Sequence, residues 1–420
     1  MKSRGALRGM FAGVLAVALA TVPAVSAMAD TGSSWWYDFY KVGQVQSEGW
    51  TGKGVKVAVL DEQINPDLPV FQGTPLTVSD ESICSVPPTS AEVTKMSTHG
   101  SNATALLIGN GQGPSAVHGI SPQADVTFYG FGTSGTCTTK TVDGLRLSGF
   151  GQAFRAAVDD GNTIITSSVG WGFLAPGDVT LLARALANGV IVVAATVNDP
   201  SQTTDYPGAS NGVIAVNAMT SEGAIQPSEN DPSMPNVVPE ATVLAAGEGL
   251  AGLGDLQSGS WTASEISGAS YATPLVAGML AVAKQKYPKA TANQLIQSLI
   301  HNTTPEDHPL ARDETGGFGY GPVSLTHLLA ADPSQYPDKN PLLDKTSGKP
   351  TARQIAEAST AATAAPSATP GAAVTSQSEG GVPVPLIVGI VVGIVVIVGA
   401  IVMVVVLSGR RRKKTTGGIA

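Results

Sequence analysis

Through the middle of the chain, short runs of β-branched and other apolar residues alternate with stretches whose apolar positions recur every three to four residues. The runs predict strands over 55–60, 125–129, 163–168, 190–195 and 213–218. The periodic stretches predict helices over 100–109, 148–159, 179–188, 269–287 and 291–302, with Gly161, Gly189 and Pro288 as breaks. Strands that are apolar on both faces and separated by helices imply an α/β fold, a mostly parallel sheet covered on both sides. In such sheets the ligand crevice lies beyond the carboxyl ends of the strands. Asp61 and Asn198 both fall just past a predicted strand end.

The two ends follow a different pattern. Lys2, Arg4 and Arg8 precede a short apolar run and then Ala24-Val25-Ser26-Ala27-Met28-Ala29, as in a signal peptide spanning 1–29. An aromatic-rich lead-in covers 30–54 and the predicted folded body covers 55–330. From 331 to 385 the chain becomes polar and then rich in Pro, Ala, Ser and Thr, which predicts a disordered linker. Residues 386–407 form an uncharged apolar run long enough to cross a bilayer. The basic residues Arg410 to Lys414 follow within the tail 408–420, and positive flanks stay cytoplasmic. The expectation is a single-pass type I protein of the cell membrane, its body outside.

Charge narrows the partners. The formal net charge is −8, and neither basic end contains an acid, so the intervening part is more acidic still. That argues against nucleic acid or anionic lipid as a partner. Export places Cys84 and Cys137 in an oxidising compartment, where a pair reads as a disulfide; two free thiols are the alternative. No Cys or His spacing suggests a metal site, and no cofactor is expected.

Three stretches carry candidate chemistry: Val55 to Asp61, Thr98-His99-Gly100-Ser101, and Ser267-Gly268-Ala269-Ser270-Tyr271-Ala272-Thr273-Pro274. A serine hydroxyl needs an adjacent base, an imidazole suits that role, and a carboxylate orients the imidazole. Ser270 opens a predicted helix, whose first N–H groups would face an oxyanion. Pro274 is expected in the first turn, where a missing N–H costs nothing. Asp67 is an alternative to Asp61, and His118, His301, His308 and His327 are alternatives to His99.

With catalytic candidates in the order Asp, His, Ser, residues 54–329 resemble the subtilisin-like serine proteases. Val192-Val193-Ala194-Ala195-Thr196-Val197-Asn198 falls where that family carries its oxyanion asparagine. The resemblance implies a three-layer α/β/α body with Asp61, His99 and Ser270 as the triad. It also implies Asn198 as an oxyanion donor, and Ser168, Val169 and Gly170 as backbone for an extended substrate. Glu62-Gln63 departs from the family's Thr/Ser-Gly, and by electrostatics Glu62 would raise the pKa of His99. Val197 stands where a glycine is usual.

The order of leader, protease-like body, linker, span and basic tail is similar to that of the mycosins, membrane-anchored proteases associated with type VII secretion. Asp332-Pro333-Ser334-Gln335-Tyr336-Pro337 fits that group. The interval from Ala29 to Asp61 is too short for a folding prodomain, and the lead-in is similar to the mycosin extension that wraps the body. The expected activity is an extracytoplasmic serine endopeptidase acting through an acyl-enzyme on protein substrates. The alternative is a structural subunit of membrane-embedded secretion machinery with dispensable protease activity.

Overall fold

Alternate residues of the central strands face opposite sides of one sheet, and both sides are covered by helices. The computed structural model describes residues 33–364, except 82, 133–135, 172–174, 305–309, 314, 316 and 346. The expected leader, the apolar run 386–407, the basic tail and the linker beyond 364 lie outside these residues. Among the described residues no helix is long and apolar enough to cross a membrane.

Seven strands form the sheet: β1 (Lys56–Asp61), β2 (Leu76–Val78), β3 (Asp125–Gly130), β4 (Ile164–Ser167), β5 (Ile191–Ala195), β6 (Ile214–Met219) and β7 (Val243–Ala246). Their order is β2-β3-β1-β4-β5-β6-β7, and every pair is parallel. The main helices are α1 (Lys95–Ile108), α2 (Gly149–Asp159), α3 (Pro176–Ala187), α4 (Ala269–Lys286) and α5 (Ala292–His301). Val57, Val59, Ile191 and Val193 pack in one core with Leu106 and Leu107 of α1 and Val276 and Leu280 of α4. Ala58, Leu60, Val192 and Ala194 pack in the other with Phe150 and Phe154 of α2 and Leu182 of α3. This is the period-2 alternation of strands buried on both faces. α4 is buried at every position from 272 to 283, as its nearly all-apolar sequence requires.

The five predicted strands form within a residue or so of their expected bounds. β2 and β7 were not predicted: one is three residues long and the other carries two alanines, which favour strands weakly. An antiparallel hairpin of Leu250–Asp255 and Ser260–Ile266 is a further addition. α1 begins at Lys95, five residues before the expected start. Thr94 and Ser97 cap it reciprocally, so its first turn is built by polar capping and carries no apolar period.

The lead-in is part of the core. Trp36 and Tyr40 are each only 2% exposed, and the Ala246 N–H donates to the Tyr40 hydroxyl at 2.8 Å. Ser33 pairs with the backbone of Gly249 and Ala251. The segment after 330 corrects the expectation of a disordered linker. Gly212 N–H donates to the Leu342 carbonyl, Asn211 N–H to that of Lys349, and the buried Lys345 ammonium to that of Gly208 at 3.0 Å. A helix, Ala352–Ala364, follows, and its Ile355 packs against the α2–α3 core. Composition alone misjudged this stretch: alanine favours helix, and backbone hydrogen bonds with a few buried side chains hold it. Cys84 and Cys137 are joined as a disulfide, with Cα atoms 4.4 Å apart.

Candidate active site

Asp61 is the last residue of β1 and is fully buried. His99, fifth in α1, meets it: Nδ1 lies 2.9 Å from Oδ1 and 3.0 Å from Oδ2. An ionised carboxylate only accepts, so Nδ1 carries the proton and Nε2 is left as the acceptor. The Glu62 N–H donates to Asp61 Oδ1 at 2.8 Å and fixes the carboxylate. Gly100 lets α1 seat this closely, because a Cβ there would collide with the Gln63 carbonyl.

Burial of the largely covered His99 ring works against its protonated form. The charge of Asp61, its hydrogen bond and the charge of Glu62 outweigh that, and the pKa is raised above the usual imidazole value. Burial, then the charge of Asp61, raise the Glu62 carboxyl, while His99 opposes the rise. Asp67 is exposed in a turn stabilised by Asn65. His118 packs on Tyr37, His301 stacks on Tyr336, and His327 Nδ1 lies 3.0 Å from the Thr303 carbonyl. His308 lies outside the described residues.

Ser270 is the second residue of α4, and Tyr271 beside it approaches the His99 ring at 5.6 Å between centroids. Its hydroxyl donates to the Ser168 carbonyl at 2.9 Å. The Ser168 hydroxyl donates in return to the Ser270 carbonyl at 2.6 Å. Pro274 explains the second bond and departs from expectation. It lies inside the helix, at the sixth position, so its missing N–H would leave the carbonyl four residues back unpaired. That carbonyl belongs to Ser270, and Ser168 satisfies it.

Asn198 follows β5 and faces the start of α4. Its Oδ1 accepts from the Ala269 N–H at 2.9 Å and from Gln226 Nε2 at 3.0 Å. A backbone N–H only donates, so the oxygen is assigned and Nδ2 is the amide atom nearer Gly268. Gly268 has φ +138°, and a Cβ there would come 3.0 Å from Asn198 Nδ2. Ser168, Val169 and Gly170 continue from the end of β4 past Ser270, and Trp171 N–H then donates to the Tyr206 carbonyl.

Thus Asp61, His99, Ser270 and Asn198 gather at the carboxyl ends of β1, β4 and β5. Sequence reasoning missed Gln226, which orients Asn198 from a loop after β6 with no motif around it. It also missed the hydroxyl of Ser168, whose partner follows from Pro274 only once the helix start is known.

A carboxylate–imidazole pair beside a serine at a helix start, on a parallel α/β sheet, is the arrangement of a serine protease. The subtilase (peptidase S8) family model matches residues 52–321, and the chain belongs to that family. It is 30% identical over 278 residues to a thermostable alkaline protease of Halalkalibacterium halodurans, covering 64% of this chain and 68% of the relative. To subtilisin DY of Bacillus licheniformis it is 29% identical, covering 63% and 89%. Among solved structures, fervidolysin from Fervidobacterium pennivorans aligns with a TM-score of 0.54 at 20% identity, over 72% of this chain and 47% of that one. The prenylagaramide maturation protease PagA aligns at 0.53 and 23%, over 69% and 97%. The last two show likeness of fold. The chain is a subtilisin-like serine protease.

Proposed function

We propose that Ser270 is the nucleophile, His99 the general base and then acid, and Asp61 the group that holds and stabilises the imidazolium. The observation that carries this is the His99 Nδ1–Asp61 pair at 2.9 Å beside the helix start that bears Ser270. Ser270 Oγ leaves the Ser168 carbonyl by a hop between staggered χ1 wells. Its proton passes to His99 Nε2 as Oγ bonds to the scissile carbonyl carbon. The oxyanion takes hydrogen bonds from Asn198 Nδ2 and from the Ser270 N–H, which lies in the first turn of α4 without an intrahelical acceptor. His99 gives the proton to the departing amine as the C–N bond breaks, and water then hydrolyses the acyl-enzyme. Ser168–Gly170 pair with the extended acyl side of the substrate as an added strand.

The same proposal places the protein at the cell membrane as a single-pass type I endopeptidase, its body outside, in association with type VII secretion machinery. The support is the sequence order of leader, body, apolar run and basic tail, together with the resemblance to mycosins. A fluorophosphonate probe should label Ser270 in detergent-solubilised full-length protein, and Ser270→Ala should abolish labelling. Folded protein that takes no label overturns the catalytic assignment. Protease treatment of intact cells should reach the body and spare the basic tail; the reverse overturns the orientation.

A second function, as a structural subunit of the secretion complex, is favoured by the Ser270 hydroxyl's bond to a carbonyl. It predicts that Ser270→Ala supports secretion where deletion of the chain does not. Equal failure of both excludes it.

A further inference from the structure

On the far side of Asn198 from Ser168–Gly170, a cleft of about 310 Å³ opens between the loops that follow β6 and β7. Asn198, Gln226, Glu229, Glu248, Ser267 and Gly268 border it. The Glu229 N–H donates to the Asn198 carbonyl, so this acid is fastened to the residue that faces the oxyanion. Beyond Glu248 and Pro227 a second depression continues past Trp35, Thr220 and Glu222. Among the described residues the two linings carry three glutamates and neither lysine nor arginine.

Two further observations point to a ligand. Gln226 is 2% exposed, and its Oε1 has no hydrogen-bond partner among the described residues. Its orientation is not free to change, because Asn198 Oδ1 requires the Nε2 end. A buried acceptor without a donor is destabilising, and a bound donor would recover that cost. Glu248 is half-buried, and burial raises its carboxyl, with a hydroxyl bond from Ser267 in opposition. The Trp35 indole N–H donates to the Glu248 carbonyl at 3.0 Å, so the lead-in segment holds this wall in place. The lining therefore offers acceptors, two of them acidic. Lysine, with three donors and no acceptor, and arginine, with five, are the side chains that complement it.

Resting on the catalytic roles proposed above, we infer that this cleft receives the first residues on the leaving-group side of the scissile bond and selects a basic side chain there, through Glu248, Glu229 and the free Gln226 Oε1. The acyl side of the substrate occupies Ser168–Gly170 toward β4. The departing chain then passes Asn198 toward β6 and β7, over the cleft.

The test is a quenched-fluorescence peptide library, randomised on the acyl side, with Lys, Arg, Ala or Glu fixed in turn at each of the first three leaving-side positions. Full-length solubilised protein should cleave the Lys and Arg sets at least tenfold faster than the Glu set at one of those positions. The preference should weaken as salt rises. In Glu229→Lys/Glu248→Lys the preference should invert toward Glu. Each ratio is taken within one preparation, so a change in overall activity cancels. Glu229 is exposed, and Glu229→Lys alone, which the fold tolerates, should lower the Lys/Glu ratio at least threefold. Cleavage indifferent to these residues, or ratios unchanged by the substitutions, overturns this inference while leaving the triad intact. Absence of fluorophosphonate labelling overturns the triad, and this inference with it.

Discussion

Ser168 and Ser270 exchange hydroxyls for carbonyls: each side-chain oxygen donates to the other residue's backbone oxygen, at 2.6 and 2.9 Å. The pair ties the end of β4 to the start of α4, and it exists because Pro274 withholds the N–H that would otherwise reach the Ser270 carbonyl.

Ser168→Ala removes that donor and leaves the carbonyl unpaired. Unfolding by urea should show a loss of about 1–3 kcal/mol. Adding Pro274→Ala restores an N–H four residues on, and the double variant should recover part of the loss. Additive losses in the two variants would show that the bond does not substitute for the missing helical one.

Gln226→Ala releases Asn198 from one of the two donors that fix its amide. The expected result is a fall in kcat of about tenfold with little change in KM, as for an interaction made mainly in the transition state. Asn198→Ala should cost more, about 10²–10³ in kcat, a magnitude taken over from a subtilisin oxyanion asparagine. Steady-state kinetics on one peptide checks both, and a Gln226→Ala effect confined to KM would contradict the positioning role.

The pH profile should expose Glu62. His99 must be neutral to accept a proton, and Asp61 and Glu62 keep it protonated to higher pH than an ordinary imidazole. The acid limb of kcat/KM should therefore lie above the usual imidazole value of about 6.5. Glu62→Gln removes one negative charge and should move that limb to lower pH. A limb that stays in place would rule out Glu62 as a contributor.

Lys345 makes docking of the segment after 330 depend on pH. Burial, then Arg312, push its ammonium down from 10.5 to about 7, against the opposing charges of Glu240 and Asp344. Between about pH 7 and 10 the undocked lysine binds a proton that the docked one has released. Stability of the docked state therefore rises with pH across that window and is flat in this respect below it. Hydrogen exchange at 340–350 should slow from pH 7.5 to 9.5 after correction for intrinsic rates. Lys345→Met should abolish the slope.

Much of the site was legible along the chain. The residues flanking Asp61, His99 and Ser270 each specify a local backbone: an apolar strand that ends at a carboxylate, an imidazole that leads a helix, a glycine turn that opens a helix. Local patterns of that kind survive without knowledge of the fold, because strand alternation and helix capping depend on near neighbours. The helix start at Lys95 was missed because hydroxyl capping at Thr94 and Ser97 carries no apolar signal. The segment 331–364 was misjudged because its order comes from partners such as Asn211 and Gly208, more than a hundred residues away.

The sequence by itself determined the parallel sheet, the catalytic candidates and their order, since each rests on residue chemistry and short-range periodicity. Only the tertiary structure decided that Asp61 rather than Asp67 meets His99, that Gln226 orients Asn198, that Ser168 answers for Pro274, and that Glu229 and Glu248 border one cleft. Those relations join strand ends, helices and loops that lie far apart along the chain. The packing of the parallel sheet and its covering helices sets their spacing, and no local pattern encodes it.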